Sequence, residues 1–395
     1  MKNIRDFFNN RSSSFSHRST KELRQLVRLF RLLSNPRISK LGIKLLKRYG
    51  HIKLPVVQHF QRWLFRPFYA GTSLQAREST VVSLSNYGVY SYLNYAIEDS
   101  STESEFDTNC EIVQNLITHA AKTNDIPFSV CKPTSFGHKY LFQKINAKQS
   151  LNAKEQIDWN RIIKRFRSCC QTAQEHGVAL LVDAEEYSMQ IATDQVVMNL
   201  MREFNLKKAV VYNSVQLYLV DGNHRLQQMH NLATKEGFYL GLKLVRGAYM
   251  EKERKIAQKH GLSSPIFACK DETDKSYHAA VDYCINHLSN IKVVLGSHNE
   301  ESMIQAINLM DQYEIKRNDE RIWFSQLLGM SDYISFVLAD EGYNVVKFVP
   351  FGPMDKLIPY LARRAEENTA IAGQTSRELT RLRRELKRRA LANER

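Results

Sequence analysis

The 395-residue chain has no apolar run approaching the ~18–20 residues that cross a bilayer; its apolar stretches are short, Val178–Val182 and Ile291–Leu295 among them. That leaves a soluble or peripheral protein. The six cysteines (Cys110, Cys131, Cys169, Cys170, Cys269 and Cys284) include no C-x-x-C pair and no zinc-like spacing with histidine, so no metal site is expected. Scattered single thiols suit a reducing compartment better than a disulfide framework. No G-x-G-x-x-G opens a helix after a strand, and G-x-x-x-x-G-K-[ST], G-x-S-x-G and H-E-x-x-H are missing altogether. A dinucleotide, if bound, is therefore not held in a Rossmann crevice, and any chemistry must be read from elsewhere in the chain.

Acidic residues are scarce at the ends. Residues 1–70 carry 16 Lys/Arg against only Asp6 and Glu22, and the tail from Arg377 carries eight basic residues against three acidic ones. The net charge of +15 thus belongs to the termini, and the body is slightly acidic. Ser19 and Glu22 have capping-box spacing, and Asn35–Pro36 is a stop signal. Between them Leu23, Leu26, Val27, Phe30 and Leu33 recur at helical spacing, with Lys21, Arg24, Arg28 and Arg31 on another face. A second basic apolar stretch follows at Ile38–Arg48. Two readings stand: a helix pair docked on the main domain, or attraction to an anionic membrane surface. No nucleic-acid recognition motif accompanies the charge, so no nucleic acid is expected as a partner.

From residue 80 short β-rich runs alternate with longer amphipathic ones. Strands are expected at Val89–Tyr95, Phe128–Lys132, Ala179–Asp183, Ala209–Asn213, Tyr239–Val245, Ile291–Gly296, Ile322–Leu327 and Asn344–Val349. Alternation of this kind implies right-handed βαβ units and a parallel sheet. Eight units favour an α/β fold of the (β/α)8 TIM-like barrel type, distorted, with an N-terminal helical extension. The expected organisation is a basic helical region 1–70, the barrel 71–376 and a basic helical tail 377–395.

Nearly every run ends on a polar side chain: Glu98, Lys132, Asp183, Gln216, Arg246 with Tyr249, His298 and Gln326. In a barrel such ends converge on the face that carries the active site. A last helix is expected between Gly352–Pro353 and Gly373, containing Tyr360, Arg363, Arg364 and Glu367. Two guanidiniums beside a barrel mouth can clamp a small carboxylate. By spacing alone, a solvated, salt-bridged helix face is the better reading of them.

The segment YLARRAEEN (360–368) resembles the Y-L-x-R-R-x-x-E-N element of proline dehydrogenases. KLVRGAYMEKE (243–253) is similar to that family's flavin-contacting strand and loop, and LLVDAEE (180–186) to its acid-bearing third strand. YNSVQLYL (212–219), SHN (297–299), QLLGMSD (326–332) and KFVPFGP (347–353) occur in the family's order. The likeness covers roughly residues 60–376. It implies a distorted barrel with FAD at the carboxyl ends of the strands and oxidation of L-proline to Δ1-pyrroline-5-carboxylate. It further implies a quinone as electron acceptor and a separate pyrroline-5-carboxylate dehydrogenase to receive the product.

Carried over by motif, Arg363 and Arg364 bind the substrate carboxylate, and Glu98 pairs with Arg363 as a gate. Lys132 and Asp183 line the pocket as a buried pair, with Tyr249 beside them as a catalytic-site wall. Leu327 and Phe348 contact the substrate. Gln216, Lys243, Val245, Gly247, Ala248, His298, Lys270 and Glu367 form the cofactor set. Read without the likeness, Lys132 with Asp183 could be a structural ion pair, and His298 a satisfied core histidine. The chain departs from the pattern twice: Lys243 stands where many bacterial relatives have Arg, and Phe348 where the family often has Tyr. The second change leaves hydroxyproline open as an alternative substrate. A catalytically silent, membrane-associated binding barrel is the alternative of another class. The expected location is cytoplasmic, peripheral on the inner membrane, or the matrix side of the mitochondrial inner membrane. Arg and Ser richness in Met1–Thr20 lends the start some organelle-targeting character.

Overall fold

The strands carry apolar residues at both odd and even positions, as parallel strands buried on two faces must. In the structure, a computed structural model, eight of them close into one barrel. It describes residues 7–8, 12–33, 35, 65–95, 100–353, 357 and 374–393. In chain order the elements are α1 (Thr20–Leu33), α2 (Leu74–Ser85), β1 (Val89–Tyr95), α3 (Glu103–Ala120), β2 (Phe128–Cys131), α4 (Lys139–Asn146) and α5 (Ala153–His176). They continue with β3 (Ala179–Val182), α6 (Tyr187–Phe204), β4 (Val211–Gln216), α7 (Gly222–Glu236), β5 (Leu240–Val245), α8 (Met250–Lys259) and α9 (Lys270–Asn286). The last are β6 (Ile291–Gly296), α10 (Glu300–Gln312), β7 (Ile322–Leu327), α11 (Asp332–Asp340), β8 (Val345–Phe351) and α12 (Gln374–Asn393). All neighbouring strands are parallel, and β8 closes on β1 from Val89↔Val345 to Tyr95↔Phe351.

Alternation sorts the side chains into two cores. Inside the barrel lie Tyr92, Phe128, Val130, Leu181, Tyr212, Val294, Val346 and Phe348. Tyr92 packs edge-on against Phe348 at 5.2 Å between centroids, and its hydroxyl shares a hydrogen bond with Ser325 Oγ at 3.0 Å. The opposite parity, including Leu240, Leu242, Leu244, Phe324 and Val345, packs under the helices.

Three strands match the sequence expectation residue for residue, and β4 differs most. It begins at Val211 because Asn205 accepts from the backbone N–H of Val210 and Val211 (2.9 and 2.8 Å), tying that stretch to the preceding turn. It runs on to Gln216, which pairs with Val245. β8 extends past Pro350, whose carbonyl accepts from Ala70 N at 2.8 Å.

The N-terminal helix is docked. Ser19 and Glu22 form their reciprocal cap, Leu23, Leu26 and Phe30 are buried, and Lys21, Arg24, Arg28 and Arg31 are exposed. α1 packs on α12. Two arginines of α12 turn inward: Arg389 donates to the carbonyls of Phe15 (2.9 Å) and Arg18 (2.8 Å), and Arg381 to Phe8 O (2.9 Å) and Glu300 (2.8 Å). The stretch Ile38–Arg48 lies outside the described residues. Packing of α3 on α5 brings Cys110 and Cys169 to 3.7 Å as free thiols.

Candidate active site

Strand parity selects the residues that can face the barrel mouth. Lys132, Asp183, Gln216, Lys243, Val245, His298, Leu327 and Phe348 all share the inward parity of their own strands. Asp183 sits at the end of β3 because its N–H continues the ladder to Cys131 O at 2.9 Å. There its carboxylate takes a 2.6 Å hydrogen bond from Lys243 Nζ, reaching across from β5. The partner of Asp183 is thus Lys243 rather than Lys132, because a side chain on β5 crosses the mouth while Lys132 leads into the turn Pro133–Ser135.

The Lys243 ammonium also faces two rings, 5.3 Å from the Tyr92 centroid and 5.5 Å from that of Phe348. Burial works to discharge it, but Asp183 and Tyr92 outweigh burial and hold its pKa above the usual lysine range. The result is a fixed, nearly buried positive charge on an aromatic floor. Asn94, of the same parity as Tyr92, is buried with an amide nitrogen that has no hydrogen-bond partner among the described residues. A nearly buried cation on an aromatic floor at the barrel mouth suits a ligand bearing several acceptors, as a flavin does.

Other expected residues are placed as follows. Gln216 is buried, and its amide nitrogen donates to Glu185 O (2.9 Å) and Gln190 Oε1 (3.0 Å), which leaves its carbonyl oxygen to offer a ligand. Val245, Gly247, Ala248 and Tyr249 form a half-buried stretch leading into α8. Gly247 has φ +136°, and a Cβ there would lie 2.4 Å from the Tyr218 ring. The glycine is therefore required by a protein neighbour, whatever else approaches it. His298 Nδ1 and Ser331 Oγ share a hydrogen bond at 3.1 Å. Lys270 is exposed at the start of α9 and pairs with Asp274.

Two polar strand ends do not join the mouth. Arg246 has the outward parity of β5; it donates to Asp274 (2.6 Å), Ser297 (2.6 Å) and Ser302 (2.8 Å) in the helix layer. Gln326 likewise bonds Ser297 O (3.1 Å) and accepts from Ser335 (2.8 Å). Alternation along the strand was the signal that could have separated them. Tyr92, Asn94 and Lys347 were not singled out from the sequence; the same alternation marks the first two as inward. Glu98, Tyr360, Arg363, Arg364 and Glu367 lie outside the described residues.

Comparison with known proteins gives the family. The proline dehydrogenase family model matches residues 78–377. The carbapenem antibiotics biosynthesis protein CarD of Pectobacterium carotovorum is 36% identical over 322 residues, covering 82% of this chain and 83% of that protein. Mitochondrial proline dehydrogenase 1 of Dictyostelium discoideum is 30% identical over 424 residues, covering 96% and 74%. Hydroxyproline dehydrogenase of Xenopus laevis is 29% identical, covering 95% and 88%. Among solved structures, proline utilization A of Bdellovibrio bacteriovorus inactivated by N-propargylglycine shares the fold with a TM-score of 0.76 at 19% identity. That likeness covers 94% of this chain and 42% of the longer protein. With the family's model matched from α2 to the start of α12 on a closed eight-stranded barrel, the chain belongs to the proline dehydrogenase family.

Proposed function

We propose that the chain is an FAD-dependent dehydrogenase that oxidises L-proline to Δ1-pyrroline-5-carboxylate and passes the electrons to a quinone. The observation that carries this reading is the buried Lys243–Asp183 pair at the mouth of the barrel, set against Tyr92 and Phe348. Bound FAD would supply the hydride acceptor. Lys243, Gln216 through its carbonyl oxygen, Val245, Gly247, Ala248 and His298 would hold it, with Lys270 toward its phosphates and Glu367 alongside. The protein's part is then alignment and electrostatics. Asp183 keeps Lys243 charged and pointed; Tyr92 and Phe348 exclude water beneath it; Leu327, Tyr249 and Lys132 wall the substrate. Arg363 and Arg364 clamp the carboxylate, and Glu98 gates the first of them.

Full-length protein reconstituted with FAD should show a flavin band that bleaches on adding L-proline, and a protein that binds FAD without bleaching would sink the reading. Arg364→Ala should raise KM roughly 10–100-fold while FAD stays bound, the loss expected of a charge-assisted contact. Phe348 favours a second substrate, hydroxyproline, because it offers no hydroxyl at the substrate wall. The ratio of kcat/KM for the two amino acids decides between them.

The contact with a quinone-bearing membrane is read from charge. Lys21, Arg24, Arg28 and Arg31 of α1 are exposed, as are Arg377, Arg383, Arg384, Lys387 and Arg388 of the packed helix α12. No described helix is long and apolar enough to cross a membrane. A peripheral position on the inner membrane, the matrix side in a mitochondrion, fits both facts. At about 1 kcal/mol per basic residue near an anionic surface, Arg24→Glu with Arg28→Glu should cut co-sedimentation with anionic phospholipid vesicles at least tenfold. Binding equal to wild type would retire the idea. A separate pyrroline-5-carboxylate dehydrogenase would consume the product.

A further inference from the structure

Lys347 is the residue of β8 that its surroundings explain least. It faces outward between Val345 and Val349, both fully buried, and its own side chain is 0% exposed. Desolvating an ammonium there costs more than pairing returns, so an apolar side chain would serve core stability better. Its three hydrogen bonds all go to one segment, the β7–α11 loop: Leu327 O (3.2 Å), Met330 O (2.8 Å) and Asp332 Oδ1 (2.9 Å).

That loop is strained and held from several sides. Ser331 has φ +48°, one of three non-glycine residues with positive φ among those described. Such a conformation is strained and persists only where the surroundings impose it. Gly329 passes so close to the N-terminal connection that a Cβ would lie 2.2 Å from Pro67 O. The second oxygen of Asp332 takes Arg18 Nη2 at 3.0 Å and His17 Nε2 at 3.2 Å, and the His17 ring stacks on Phe336 at 3.6 Å. The loop delivers two groups to the mouth: the side chain of Leu327 and the Ser331 hydroxyl bonded to His298.

We propose that Lys347 and Asp332 are positioning residues. They fix the loop from beneath and act through Ser331 on the orientation of His298 at the flavin. The proposal rests on the FAD reading given above. It extends the functional apparatus from the barrel mouth to the outer face of β8 and, through Asp332, to the N-terminal segment His17–Arg18.

The test is a double-mutant cycle read as FAD affinity, by quenching of flavin fluorescence on titrating apoprotein. In the wild-type background Lys347→Met should weaken FAD binding about tenfold, within the coupling range of residues in one network. In a His298→Ala background the same change should weaken it less than about twofold, because the group it acts through is gone. Ser331→Ala removes one hydroxyl and is run through the same cycle, so the question is answered even if Lys347→Met does not fold. Equal losses in both backgrounds, or none in either, would overturn the positioning role. Wild-type apoprotein that binds no FAD would overturn the functional reading itself, a different result from either.

Discussion

Asp183→Ala is expected to cost about 3–5 kcal/mol of stability, measured by urea unfolding, and to slow proline-dependent flavin reduction at least about 100-fold. The stability loss arises because Lys243 is left as a buried charge without its carboxylate. Its pH dependence has a definite sign. In the wild type the folded-state pKa of Lys243 is raised, so the pair's contribution is complete below the unfolded lysine value and fades as pH climbs through the folded one. In the variant only Tyr92 is left to oppose burial, so the folded-state pKa drops from its raised value and the stabilisation the pair gave is lost. The deficit is therefore full near neutrality and shrinks only as pH climbs past the unfolded lysine value. Adding Lys243→Met should restore most of the stability and none of the catalysis. If the double variant is as unstable as Asp183→Ala, the buried pair is not the cause.

Gly247→Ala should destabilise the protein by about 2–4 kcal/mol and release FAD, because strain and overpacking act together. The added methyl would fall 2.4–2.5 Å from three Tyr218 ring carbons, on a backbone whose φ of +136° already disfavours any side chain. Tyr218 is buried, 3% exposed, and cannot simply swing away. An Ala variant with the wild-type unfolding midpoint and FAD affinity would show that the loop after β5 has room the structure does not give it.

The eight strands were legible because each carries its own local signal: β-branched and aromatic runs, bounded by turns, alternating with helical spacing. The site was partly legible for the same reason. A period of two along each strand assigns Asp183, Lys243 and Phe348 to the interior, and it would have sent Arg246 and Gln326 to the helix layer had it been applied to them. The likeness to proline dehydrogenases named the remaining positions one motif at a time, and the family assignment followed.

By itself, the chain's order of residues determined the barrel, its inward and outward faces, and the family. Tertiary structure alone decided who pairs with whom. Lys243 meets Asp183 across 60 positions of chain because barrel closure brings the ends of β3 and β5 to one mouth. Arg18 joins the Lys347–Asp332 pair because the N-terminal segment is drawn under α12 onto the β7 loop. Local periodicity tells a side chain which face it occupies; only the closed sheet and the docked termini determine which charge stands opposite.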